Sequence, residues 1–134
     1  MGAWGSGSFE NDDASDWIAE FCDEPDQELI SDALSAVAEI EAGEYLEAPD
    51  CSVGLAAAEV VAALKGSPHP DMPDDAKGCV SQLKLKATPA MISLALRAVE
   101  RIRTESELKE LWDESENAAG WYQAVSDLEA RLRP

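Results

Sequence analysis

The run Ala56-Ala57-Ala58-Glu59-Val60-Val61-Ala62-Ala63-Leu64 is apolar on every side of a helix except at Glu59. A helix with no polar face belongs at the centre of other helices, and its small side chains let neighbours approach closely. Gly66 and Pro68 stop this third helix. Asp50 or Ser52 is the expected cap at its start.

Working outward, helical patterns surround this segment. Upstream, Leu29, Ile30, Ala33, Leu34, Val37 and Ile40 form one stripe that ends at Gly43. Tyr45 and Leu46, in the following loop, are expected to tuck inward. Earlier still, Asn11 has the character of an N-cap, with Asp12, Asp13 and Asp16 in the first turns, where carboxylates favour the helix dipole. Ala14, Trp17, Ile18 and Phe21 continue at helical spacing until Pro25.

Downstream, the proline-rich stretch from Ser67 to Pro73 is a loop, and a weaker helix runs from Asp74 to Lys84 across Gly78. Leu83-Lys84-Leu85-Lys86 alternates as an extended piece would, but has no partner strand. Thr88-Pro89 opens a helix striped with Met91, Ile92, Ala95, Leu96, Val99 and Ile102. Thr104-Glu105-Ser106-Glu107 reads as a capping box for a short helix holding Leu108, Leu111 and Trp112. Asn117 restarts the chain in a last helix bearing Trp121, Ala124, Val125, Leu128 and Leu132. Six or seven short helices without a strand pair predict an all-α bundle, one domain over 1–134 with no repeat and no internal boundary.

The totals agree with that fold. At 134 residues the chain should bury roughly 65–70% of the surface its unfolded form exposes, enough for a core. Hydrophobic residues make up 46% of it, so a net charge of -18 does not imply disorder. No apolar stretch reaches the length of a membrane span, and no basic segment followed by an apolar run marks a secretory signal. Cys22, Cys51 and Cys79 are odd in number and widely spaced. They are expected to be reduced thiols in a cytoplasmic protein.

Charge is unevenly placed. Met1 to Leu64 holds sixteen carboxylates and no Lys or Arg. Lys65 to Arg103 holds seven basic and four acidic residues, and the remainder eight acidic and three basic. Such a field repels nucleic acid and anionic membranes and attracts a basic protein surface or divalent cations.

The N-terminal stretch Met1-Gly2-Ala3-Trp4-Gly5-Ser6-Gly7-Ser8-Phe9-Glu10-Asn11-Asp12-Asp13-Ala14-Ser15-Asp16-Trp17 is the least ordinary part of the chain. Trp4 and Phe9 would be unfavourable in a free tail, so residues 1–10 are expected to dock on the bundle. Docking would make Gly2, Gly5 and Gly7 points of positive φ or close backbone approach. Over these positions, and again over Ala56 to Leu64, the sequence resembles a widespread bacterial family of a domain of unknown function. Members of that family open with Met-Gly-Ala-Trp-Gly-x-Gly-x-Phe-(Glu/Asp)-Asn-Asp-x-Ala-x-Asp-Trp. The resemblance implies a compact, intracellular bacterial protein and assigns no activity. By association alone, and not through any residue here, the resemblance also implies an accessory or immunity-type gene.

The candidate binding surface is Trp4, Asn11, Asp12, Asp13, Asp16 and Glu59. Asp12 and Asp16 share a helix face and, with Glu59, form a weak candidate set for Mg²⁺ or Ca²⁺, although the spacing is not that of a calcium loop. Favourable carboxylates at a helix start explain Asp12 to Asp16 equally well. Glu59 is either a general base or ligand, or an ion pair with Arg97 or Arg101, or a solvent-facing side chain. Trp112, Trp121 and Tyr122 are a stacking platform or, at helical spacing with leucines, part of the core. His69 is the single histidine, which leaves no histidine zinc site and no local triad. No phosphate-binding loop is present and no cofactor is expected. Three functions follow: an acidic interaction module, of immunity or antitoxin type or an inhibitor of a basic partner; a metal-dependent hydrolase or transferase using Asp12, Asp13, Asp16 and Glu59; or an assembly subunit.

Overall fold

A computed structural model describes residues 11–41, 43–70, 72–83 and 86–133. The expected docking of residues 1–10, with Trp4 and its flanking glycines, lies outside the described residues, as do Lys84 and Leu85. Seven helices follow one another: α1 (Asp12–Asp23), α2 (Gln27–Ala38), α3 (Ala48–Leu64), α4 (Asp74–Gln82), α5 (Pro89–Thr104), α6 (Glu107–Asp113) and α7 (Ala118–Leu132). No strand occurs among the described residues.

Helix α3 is the hub, as its all-round apolar character requires. It contacts each of the other six helices. Every residue from Leu55 to Ala62 is buried. Close approach is visible at Gly54: a Cβ there would lie 3.0 Å from Val37 Cγ2 on α2 and 3.4 Å from Ile102 Cδ1 on α5. A methyl at that point would push against a stiff β-branched side chain, so glycine is kept despite its cost to helix propensity. Helix α3 closes in a Schellman turn, with Gly66 at φ 101. There Ser67 N–H donates to Ala62 O at 2.9 Å and Gly66 N–H to Ala63 O at 3.0 Å.

The stripes on the other helices turn toward this hub, except that Ile92 and Leu96 of the expected α5 stripe stay half-exposed. Ile30, Leu34 and Val37 of α2, Ala95, Val99 and Ile102 of α5, and Leu128 and Leu132 of α7 are fully enclosed. Trp121 and Trp112 are buried at 2% and 6% exposure, which makes them core and removes the stacking platform. Trp17 stacks on Phe21 with ring centroids 5.3 Å apart.

Four local expectations are corrected. First, α3 is capped neither by Asp50 nor by Ser52. It starts at Ala48, whose N–H donates to Glu107 Oε1 of α6 at 2.8 Å, so the acceptor comes from 59 residues away. Second, the box at Thr104 is not one unit. Thr104 ends α5 and donates its hydroxyl to Glu100 O, while Ser106 caps α6 by accepting from Lys109 N–H at 3.0 Å. Glu107 is then free to serve α3. Third, Leu46 is buried but Tyr45 is 60% exposed, its hydroxyl donating to Glu107 Oε2 at 2.7 Å.

Fourth, Cys22 and Cys79 are not free thiols. They form a disulfide that ties α1 to α4 across a separation of 57 residues. Closing a loop of that length restricts the unfolded chain by ~4 kcal/mol in the chain-entropy description. The odd cysteine count concealed the pair, because the partner is chosen by how α1 packs on α4. The cytoplasmic assignment loses the support it drew from reduced thiols. Only Cys51 remains free among the described cysteines. Burial pushes its thiol up to about 11, against opposing hydrogen bonds involving Ser106 and Leu108, so it stays protonated and unreactive at neutral pH.

Candidate functional site

Asn11 does what its sequence position predicts. Its Oδ1 accepts from Ala14 N–H at 2.8 Å and starts α1. Asp12 and Asp13 stand exposed in the first turn, where the helix dipole favours negative charge, and Asp16 and Glu20 continue the ridge one turn at a time. None of the four approaches a Lys or Arg within salt-bridge distance among the described residues.

That pattern extends across the first half of the chain. Of the fifteen described carboxylates from Asp12 to Glu59, fourteen are exposed and have no cationic partner among the described residues; Glu59 is the exception. The acidic residues of every other salt bridge lie beyond Glu100.

Glu59 is 1% exposed on α3 and both of its oxygens are occupied by Arg131 of α7. Arg131 Nη1 donates to Oε1 at 2.7 Å and Nη2 to Oε2 at 3.2 Å, a bidentate pair. Arg131 Nη1 also donates to Ser67 O and its Nε to Asp127 Oδ2 at 2.8 Å. Burial would lower the Arg131 pKa, but the hydrogen bonds and charges of Glu59 and Asp127 together outweigh it and hold the guanidinium above its ordinary value. The expectation of a partner at Arg97 or Arg101 is therefore corrected. Arg101 instead clamps the loop after α2, donating to Ile40 O and Glu44 O at 2.9 Å each. Arg97 is exposed on the outer face of α5.

The candidate residues thus divide. Asp12, Asp13 and Asp16 sit together on the surface, while Glu59 belongs to an internal ion pair. Among the described residues no group of three or more Asp, Glu, His or Cys side chains is placed to hold a metal ion. Trp4 lies outside the described residues.

A feature that sequence reading missed adjoins the acidic ridge. An open groove of about 510 Å³ runs between α1 and the start of α4, lined by Ser15, Ile18, Ala19, Cys22, Pro73 and two carboxylates, Asp23 and Asp75. Its lining is mainly apolar, and the disulfide holds its two walls together. No linear pattern announces it, since its walls are about 50 residues apart in the chain.

The matched family model is described as a domain of unknown function, DUF4259, and covers residues 2–124. The chain belongs to that family. Comparison with curated proteins and with solved structures found no match. No described helix is long and apolar enough to cross a membrane.

Proposed function

We propose that this protein is an acidic interaction module that binds a basic protein partner through α1, α2 and the groove beside α4. One observation carries this reading: among the described residues, fourteen exposed carboxylates lie before Glu59 without a cationic partner, and apart from Glu59 the acidic members of the salt bridges all come after Glu100. Unpaired charge of one sign raises the association rate with a complementary surface and rejects like-charged ones. An apolar groove rimmed by Asp23 and Asp75 suits the aliphatic stem and charged head of Lys or Arg. Immunity or antitoxin activity, or masking of a nucleic-acid-binding surface by carboxylates that imitate phosphates, are specific forms of this function. The same field argues against direct binding to nucleic acid or anionic membranes.

The test is capture from lysate on the immobilised protein at low ionic strength. A true partner is basic, elutes as salt shortens the Debye length from about 30 Å at 0.01 M toward about 8 Å at 0.15 M, and is lost from an Asp16→Lys/Glu20→Lys variant. Partners that are acidic, or retained equally by that variant and in high salt, would refute charge-led recognition. No observation favours the hydrolase or transferase reading, because Glu59 is held by Arg131.

A further inference from the structure

Helix α5 carries apolar side chains on two faces. Met91, Ala95, Ala98, Val99 and Ile102 face the core. On the other side Pro89, Ile92, Ser93, Leu96 and Arg97 follow at helical spacing and, with Lys65 at the end of α3, line an open groove of about 440 Å³. Ile92 and Leu96 remain half-exposed there, and Glu100 closes the rim.

Lys65 and Arg97 are, with Lys77 and Lys86, the described cations that form no salt bridge with a described carboxylate. The chain has 28 acidic and only 10 basic side chains, so carboxylate partners are abundant. Arg101, Arg103, Arg131 and Arg133 each have one. Arg97 has none among the described residues and donates no hydrogen bond there. Lys65 donates only to backbone carbonyls, those of Arg131 and Arg133. The groove therefore combines an apolar floor with two cations not neutralised by any described carboxylate, against one carboxylate at Glu100.

We propose that this groove binds a small amphiphile with a single carboxylate head and a medium-length alkyl chain. The chain lies against Pro89, Ile92 and Leu96, and the head meets the Arg97 guanidinium, whose planar donors fit a carboxylate, with Lys65 adding charge. The volume falls within the range of roughly 300–1,000 Å³ typical of small-molecule sites. Charge selects a monoanion over a polyanion. Long-range repulsion from a net charge of -18 grows with the charge of the approaching ligand, so nucleic acid or an acidic protein is held off while a single carboxylate reaches the local cations. Glu100, one turn beyond Arg97, weakens the attraction for the head but is outnumbered by the two cations.

The experiment is a titration of the full ¹⁵N-labelled chain with sodium octanoate below its micellar concentration, followed by amide shifts. Saturable shifts confined to Lys65 and residues 89–97 are expected. Octylammonium, with the same chain and opposite head, is expected to bind the natural protein roughly fivefold more weakly. In Arg97→Glu, a surface change that breaks no described contact, the preference between the two ligands should reverse while the remaining amide spectrum is unchanged. Scattered shifts, equal affinity for both heads, or no effect of Arg97→Glu would each overturn the proposal. None of these results bears on the acidic face of α1 and α2, so the two readings fail separately.

Discussion

The surface of α1 and α2 and the seam between α3, α5 and α7 use the same side chains for opposite purposes. On the first, carboxylates stand in water with no cationic partner among the described residues, and contribute to the field of the molecule. In the second, Glu59 and Glu129 are each enclosed and hydrogen-bonded to arginine: Glu59 by Arg131, and Glu129 by Arg103 at 2.6 Å. A carboxylate in water costs little and is available to a partner. One removed from water must be answered by a fixed cation, and then it specifies how helices seat on one another. Charge count alone does not separate the two kinds, whereas burial does.

Substitutions in the two regions should differ accordingly. The largest effect is expected at the seam. Arg131→Met leaves Glu59 buried and uncompensated, and should lower unfolding free energy by about 3–5 kcal/mol in urea titration. The double variant Glu59→Met/Arg131→Met should recover most of that loss, because it removes the buried charge as well as its partner. Equal stability of the single and double variants would show that Glu59 is not the group requiring Arg131.

An intermediate effect is expected at Glu107, which is half-buried at the start of α6 and caps α3 from a distance. Its carboxyl is held below its ordinary range, first by the Ala48 N–H and then by the Tyr45 hydroxyl. A depressed carboxylate adds stability above its unfolded pKa, and that stability disappears as pH falls through the folded value. Glu107→Ala should reduce Tm by a few degrees near neutrality, and the difference from the natural protein should shrink on acidification. A difference that grows on acidification would break this account. The same hydrogen bond pushes Tyr45 up to about 12.

The smallest effect belongs to the acidic ridge. Asp12→Asn/Asp13→Asn/Asp16→Asn loses favourable interaction with the helix dipole but relieves repulsion among like charges, two small terms of opposite sign. Calorimetry should show no substantial change in Tm, while salt-sensitive capture of the basic partner falls. A marked loss of stability would place these residues in the scaffold and erase the contrast between the two surfaces.

Much of the architecture was legible from residues close together in the chain. Periodic apolar stripes marked the helices, Asn11 marked the start of α1, and the alanine-rich run marked the central position of α3. These signals are local, since helix period, capping and glycine termination act within a few residues. The candidate site was legible only as composition. The acidic bias before Lys65 is plain, but which carboxylates face water is not, and for Glu59 the sequence leaves a base or ligand, an ion pair with Arg97 or Arg101 and a solvent-facing side chain open, because nothing local to it points to Arg131.

The sequence by itself determined an all-helical chain, its central helix and an acidic first half. Tertiary structure alone decided that Glu59 meets Arg131, that Glu107 caps α3 from 59 residues away, that Cys22 finds Cys79, and that two grooves of opposite charge form. The reason is one of range. Helix formation depends on neighbours three or four residues apart, whereas partnership and concavity depend on which faces of distant helices come together once the apolar stripes are buried.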